Sequence, residues 1–137
     1  MAYISQEEKK AIAPAVKALL KQYGLKGTLS VSNHSTIVLT LTAGAIDFFA
    51  IANRKNKEYA LLRNERPREV EGHMDVNVYW YEIHFDGVAA EFLGKAIQAL
   101  RGEGWYDKSD IQSDYFNVKH YVDIRIGKWN KPYILQA

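Results

Sequence analysis

A chain of 137 residues with 47% hydrophobic and 25% charged content has the size and make-up of about one globular domain able to bury its own core. Eighteen basic against sixteen acidic residues leave a formal charge of +2, too little to drive strong phosphate binding by counterion release alone. The absence of cysteine excludes disulfides, thiolate metal sites and a cysteine nucleophile, and no window reaches the roughly 18 apolar residues of a membrane span, so a reducing cytoplasm is the expected setting.

The N-terminal pattern predicts a helix. Ser5 with Glu8 three residues on makes a capping box, Ile12, Val16, Leu19, Leu20 and Tyr23 follow at helical spacing, and Gly24 ends the run. Pro14 falls inside it and predicts a kink there, with a fresh helix beginning near Ala13 as the alternative. Thr28 to Ser32 and Thr36 to Thr42 then alternate apolar with small polar residues around Asn33-His34-Ser35, which predicts a β-hairpin with a threonine-lined outer face. Residues 46–52 suit either a third strand of this meander or a short helix, because Phe48-Phe49-Ala50-Ile51 has no clean period.

From Arg54 to Glu71 the chain turns hydrophilic, with six basic and four acidic residues around the apolar patch Tyr59-Ala60-Leu61-Leu62. An exposed arm over about 54–72, or a short helix and a loop, is expected there. Asn77 is placed to cap a short helix through Val78 to Phe85, although the same aromatic residues suit a strand. After Asp86-Gly87 comes the most apolar helix, Val88 to Arg101, whose wide hydrophobic face belongs at the centre of a core. Val118 to Ile126 reads as a strand with Val118, His120, Val122, Ile124 and Ile126 on one side, and Lys119, Tyr121, Asp123 and Arg125 on the other. The expected fold is therefore α+β: an antiparallel sheet of hairpin and C-terminal strand, packed by an N-terminal helix and a central apolar helix.

Several strings taken together carry a resemblance: Asn33-His34-Ser35, Asn77 with Tyr79-Trp80 and His84-Phe85, Trp105-Tyr106-Asp107-Lys108-Ser109-Asp110, Asp114-Tyr115-Phe116, and Gly127-Lys128-Trp129-Asn130-Lys131-Pro132-Tyr133. From Tyr3 to Tyr133 the chain resembles a family of small proteins encoded by phages and other mobile elements, relatives of the large polyvalent protein-associated domains. The resemblance is least over the charged arm. It implies an accessory protein carried into a bacterium with foreign DNA, often to blunt host defence, and it implies no catalytic residue.

Read for chemistry, the chain offers few constellations. Asp107, Asp110 and Asp114 have a spacing that suits a divalent cation, with His84 or His120 as a further ligand, or an acid and base pair, but they lack the calcium-loop alternation and its central glycine, and helix or turn capping is the favoured reading. His34, His73, His84 and His120 are scattered at no metal-ligand spacing, and His120, on the apolar face of its strand, is expected to be a hydrogen-bonded core residue. No phosphate loop, nucleophile elbow or dinucleotide fingerprint occurs. The surplus is aromatic, with nine tyrosines and three tryptophans, and such rings suit binding surfaces as well as cores.

These features point to a non-enzymatic binding protein without cofactor or metal. Its expected partner is a host protein complex, and Arg63, Arg66, Trp80, Tyr81, Trp105, Tyr106 and Trp129 are its candidate contacts. The alternative is a nucleic-acid binder of phage DNA metabolism using Lys119, Tyr121 and Arg125 on the polar sheet face.

Overall fold

The computed structural model describes residues 2–67, 69–108 and 118–136. The first helix, α1 (Gln6–Gln22), begins as its sequence requires: the Glu8 amide donates to Ser5 Oγ at 3.1 Å and the Ser5 amide donates to the Glu8 carboxylate at 3.3 Å. Pro14 causes no restart, and the helix runs through it unbroken. Pro14 lies on the exposed side, and Val16 and Leu20, buried on the opposite one, stabilise the helix against the loss of one backbone bond. Strands β1 (Leu25–Ser32) and β2 (Thr36–Gly44) form the expected hairpin, with Asn33 and His34 both left-handed at its tip.

Residues 46–52 are not a third strand. Asp47 accepts the Ala50 amide at 3.0 Å and starts helix α2 (Phe48–Arg63), which buries Phe48, Ala52 and Ala60. The charged stretch thus divides into the second half of a helix and an irregular connection. Asn53 ties that connection down by exchanging two bonds with the Val70 backbone, at 2.7 and 3.0 Å. A short strand, β3 (Met74–Val76), follows where the sequence suggested only a connection, then the single turn α3 (Tyr81–His84), the apolar helix α4 (Gly87–Arg101), and strands β4 (Tyr121–Ile126) and β5 (Ile134–Leu135). The last long strand starts at Tyr121 rather than Val118, which forms an isolated bridge to Asp107.

The fold is α+β, but the sheet is mixed rather than purely antiparallel. Its order is β1-β2-β4-β3: β2 and β4 run parallel, β3 returns antiparallel to β4, and β5 continues parallel to β2 beyond the end of β4. The reason is topological: the crossover through α2, α3 and α4 returns the chain to the end of the sheet from which β2 set out.

One face of the sheet carries Ile37, Leu39, Leu41, Ile124 and Ile126 into a core shared with the helices. There Phe48 meets Phe85, Phe92 and Tyr133 edge-on at 5.6–6.2 Å between ring centres, and α4 contributes Phe92, Leu93, Ala96 and Leu100 with no exposed surface at all. Each large side chain so buried stabilises the fold by roughly 1.5–3 kcal/mol. On the other face Thr28, Thr42, Tyr121 and Arg125 are exposed, while Val38 and Thr40 between them are buried.

Candidate functional site

The structure sorts the candidate contact residues into three regions. The first lies where α2 meets α3. Arg63, in the last turn of α2, and Arg66, just beyond it, are exposed and border a shallow depression of about 190 Å³ together with Ile83 and His84. Asn77 Oδ1 accepts the amides of Tyr79 at 3.0 Å and Trp80 at 3.2 Å, an Asx turn that fixes the backbone just before α3. Trp80 is left 66% exposed. Tyr81, by contrast, is half-buried and packs against α4, where a side chain on Gly94 would collide with its hydroxyl. Sequence reasoning missed the apolar residues around this cluster: Tyr79, Ile83, Leu61 and Leu62 are exposed, Leu62 to 82%. For Leu61 the signal was present, because at 100° per residue it falls on the far side of α2 from buried Phe48 and Ala52; Leu62 falls on the same side as Phe48, and its exposure comes from where the helix end lies in the fold.

The second region lies at the start of β4. Trp105 is half-buried; its indole N–H donates to the His120 carbonyl at 2.8 Å, and the Arg101 guanidinium stacks over its ring at 4.3 Å. Tyr106 is exposed, with the Lys108 ammonium 5.1 Å from its ring centre. His120 is buried, as its place on the apolar face suggested, and its Nε2–H donates to the Leu100 carbonyl at 2.9 Å. That bond leaves Nδ1 as a bare acceptor, and burial pushes the ring's pKa down, so His120 is neutral near pH 7. His120 Nδ1 and Arg101 Nε are both buried and have no hydrogen-bond partner among the described residues. They border a groove of about 620 Å³ between α1 and α4, floored by small residues such as Ala11, Ala15 and Gly102, with Glu8 and Lys119 paired at its edge.

Of the aspartate cluster, Asp107 is exposed and bridges Val118, while Asp110 and Asp114 lie outside the described residues, as do Ser109 and Tyr115. Among the described residues no group of three His, Asp or Glu side chains could hold a metal ion. His34 and His73 are exposed, and His84 bonds Asn56 at 2.9 Å.

The third region is the open face of the sheet and the turn beyond it. Tyr121 and Arg125 share the polar side of β4, but Lys119 precedes the strand and turns its ammonium to Glu8 of α1 at the groove between α1 and α4, and both cations have acidic partners. The Lys119 ammonium holds the Glu8 carboxyl below its usual pKa, and Arg125 Nε lies 3.0 Å from Asp123 and 4.0 Å from Asp75. A phosphate approaching this trio meets a nearly neutral surface. Trp129, 81% exposed, sits in the tight turn after β4, a six-residue strand and about 20 Å from Trp105. The candidate contacts therefore do not form one continuous surface.

No helix among the described residues is long and apolar enough to cross a membrane. Compared with protein-family models, with curated proteins and with solved structures, the chain matches none.

Proposed function

We infer that this chain works as a binding protein, with the junction of α2 and α3 as its contact surface for another protein. The observation that carries this reading is the set Leu61, Leu62, Tyr79, Trp80 and Ile83, large apolar side chains left in water by two adjoining elements. Each ring or branched chain held out of the core forgoes its burial energy, and clusters of that kind mark interaction surfaces in small domains. Of the apolar members, Ile83 borders the same depression as Arg63 and Arg66, with Glu65 between the two arginines in the chain. An aromatic anchor with arginine at its rim is the composition of a protein contact, and mixed charge favours selectivity among protein partners over attraction to a nucleic-acid backbone. In the setting that the resemblance implies, the partner is a host complex, a defence effector of the CRISPR or restriction type, and the action is occupation of its surface rather than chemistry.

The test is capture of a stoichiometric partner from a defence-bearing bacterial host by the tagged chain, compared with Trp80→Ala and Leu62→Glu. Loss of capture in both variants, with melting unchanged, is the expected outcome. Equal recovery by the wild type and both variants would remove this surface from the reading.

A further inference from the structure

On the opposite side of the sheet from the α2–α3 junction lies a cavity of about 480 Å³. Its floor is strand: Thr28 and Thr40 face each other across β1 and β2, and Thr42 lies two residues along on the same side. Pro132 and Ile134 supply apolar walls, and Lys128 and Lys131 complete the lining. No acidic residue among the described ones borders it.

The two lysines are held together by the backbone. Lys128 and Lys131 exchange both main-chain hydrogen bonds, at 2.8 and 3.1 Å, across the two-residue turn Trp129-Asn130. Residues so paired point their side chains to the same face of the ribbon, with Cβ atoms about 5 Å apart, and like charges placed in that way repel. The chain has other lysines that it pairs with carboxylates, Lys95 with Glu91 and Lys119 with Glu8. These two have no such partner among the described residues.

The ribbon that carries them is built to stay in place. Gly127 turns the chain at φ +72°, where a Cβ would overlap the Gly72 carbonyl oxygen and the Tyr133 amide nitrogen. Its amide donates to the Leu41 carbonyl at 2.8 Å, and on the far side of the turn the Tyr133 amide donates to the Gly72 carbonyl at 2.8 Å. A repulsive pair on an anchored ribbon, over a cavity bordered by no carboxylate among the described residues, is complementary to an anion; the Thr42 hydroxyl is already engaged, donating to the Lys26 carbonyl at 3.2 Å. The volume lies within the range of small-molecule sites, well beyond what a bare oxyanion fills, and the rest of its wall is apolar.

We propose that this cavity binds a nucleoside phosphate, with Lys128 and Lys131 on the phosphate and the threonine methyls, Pro132 and Ile134 against the base and sugar. Trp129 is not one of the lining residues; largely exposed in the turn between the two lysines, it is the ring that a base extending out of the cavity would meet. The unit recognised is the same whether it arrives as a free nucleotide or within a single strand, and it reaches the protein on the face that the α2–α3 junction leaves free.

Calorimetric titration of the full chain at low salt with adenosine monophosphate, inorganic phosphate and a short oligothymidylate tests this. Binding of the nucleotide or the oligonucleotide is expected, weakened about tenfold or more by Lys128→Gln with Lys131→Gln. Trp129→Ala should weaken both while leaving inorganic phosphate unaffected. A tighter oligonucleotide with a steep salt dependence assigns the site to a strand, and a nucleotide bound as well as the oligonucleotide assigns it to free nucleotide. Three results overturn the proposal: no binding of either nucleoside phosphate by the folded wild type, affinity unchanged in the double lysine variant, or inorganic phosphate binding as tightly as the nucleotide. Both lysines are exposed, so the double variant should melt at the wild-type temperature, which separates a lost anion contact from a lost fold.

Discussion

Two buried titratable side chains, Tyr133 and His120, couple the stability of this protein to pH. Tyr133 donates its hydroxyl to the Ile46 carbonyl at 2.8 Å, and burial pushes its pKa up to about 12. A phenol whose folded pKa is raised above the ordinary value contributes stability that is complete below pH 10 and is lost as pH rises from about 10 to about 12. The two-unit difference corresponds to roughly 2–3 kcal/mol. Tyr133→Phe should lose about 1 kcal/mol at neutral pH for the missing hydrogen bond, and its stability should fall less than that of the wild type between those two pH values in urea titrations. His120 acts in the opposite direction. Its folded pKa is depressed, so the unfolded chain takes up the proton first, and the stability present above pH 6.5 falls as pH drops through the folded value. In melts between pH 7 and pH 5, His120→Gln should give a flatter profile than the wild type. An equal slope would show that other groups, such as the paired Glu8, govern the acid limb.

Among the elements, α1 has the start most completely written in its sequence. Ser5 and Glu8 satisfy each other's backbone donors, and the second Glu8 oxygen also reaches Lys119 ahead of β4, so one carboxylate joins the N-terminal helix to the C-terminal strand. Ser5→Ala should cost about 1 kcal/mol in denaturant unfolding. Gly127→Ala should cost more, at least about 2 kcal/mol, since the new methyl meets backbone atoms on both sides and the residue must keep a left-handed φ. If Gly127→Ala retained wild-type stability, the anchored ribbon that places Lys128 and Lys131 would be looser than described. Elsewhere the local pattern was ambiguous. Phe48-Phe49-Ala50-Ile51 fits a buried strand as well as a helix, and Asp47 was the cue that distinguishes them, because its side chain satisfies a free amide of a starting helix and has no such task in a strand. Three-residue β3 is too short to show a period, and it exists because β4 offers it an edge.

For the whole molecule, the sheet separates two surfaces, the apolar α2–α3 junction on the helical side and the lysine-framed cavity on the open side. Substitutions at exposed positions of either surface should leave stability within about 0.5 kcal/mol of the wild type. Leu61→Glu with Leu62→Glu should also raise the concentration at which the chain begins to self-associate, measured by light scattering, because it removes exposed apolar surface. An unchanged threshold would place the sticky surface elsewhere, Trp129 being the first alternative. The candidate site was legible in part for the same spatial reason. The excess of rings over what one core holds was visible in composition, and among the described residues six of them, Tyr3, Tyr79, Trp80, Tyr106, Tyr121 and Trp129, are exposed. Which rings were spared depended on packing partners distant in the chain: Gly94 makes room for Tyr81, and Arg101 with the His120 carbonyl holds Trp105.

The sequence by itself determined the class and the local elements: the capped first helix, the hairpin around Asn33-His34-Ser35, the apolar α4 and the alternating faces of β4. Each of these rests on interactions between residues close in the chain or on a period that burial enforces wherever the element docks. Only the tertiary structure decided strand direction, the parallel seat of β4 beside β2, the acidic partners of Lys119 and Arg125, and the meeting of Lys128, Lys131 and the threonines around one cavity. Those depend on the crossover through α2, α3 and α4, which brings together residues up to about a hundred positions apart, such as Thr28 and Lys131. No local propensity encodes that distance; it is set by how the helices cover one face of the sheet and leave the other bare.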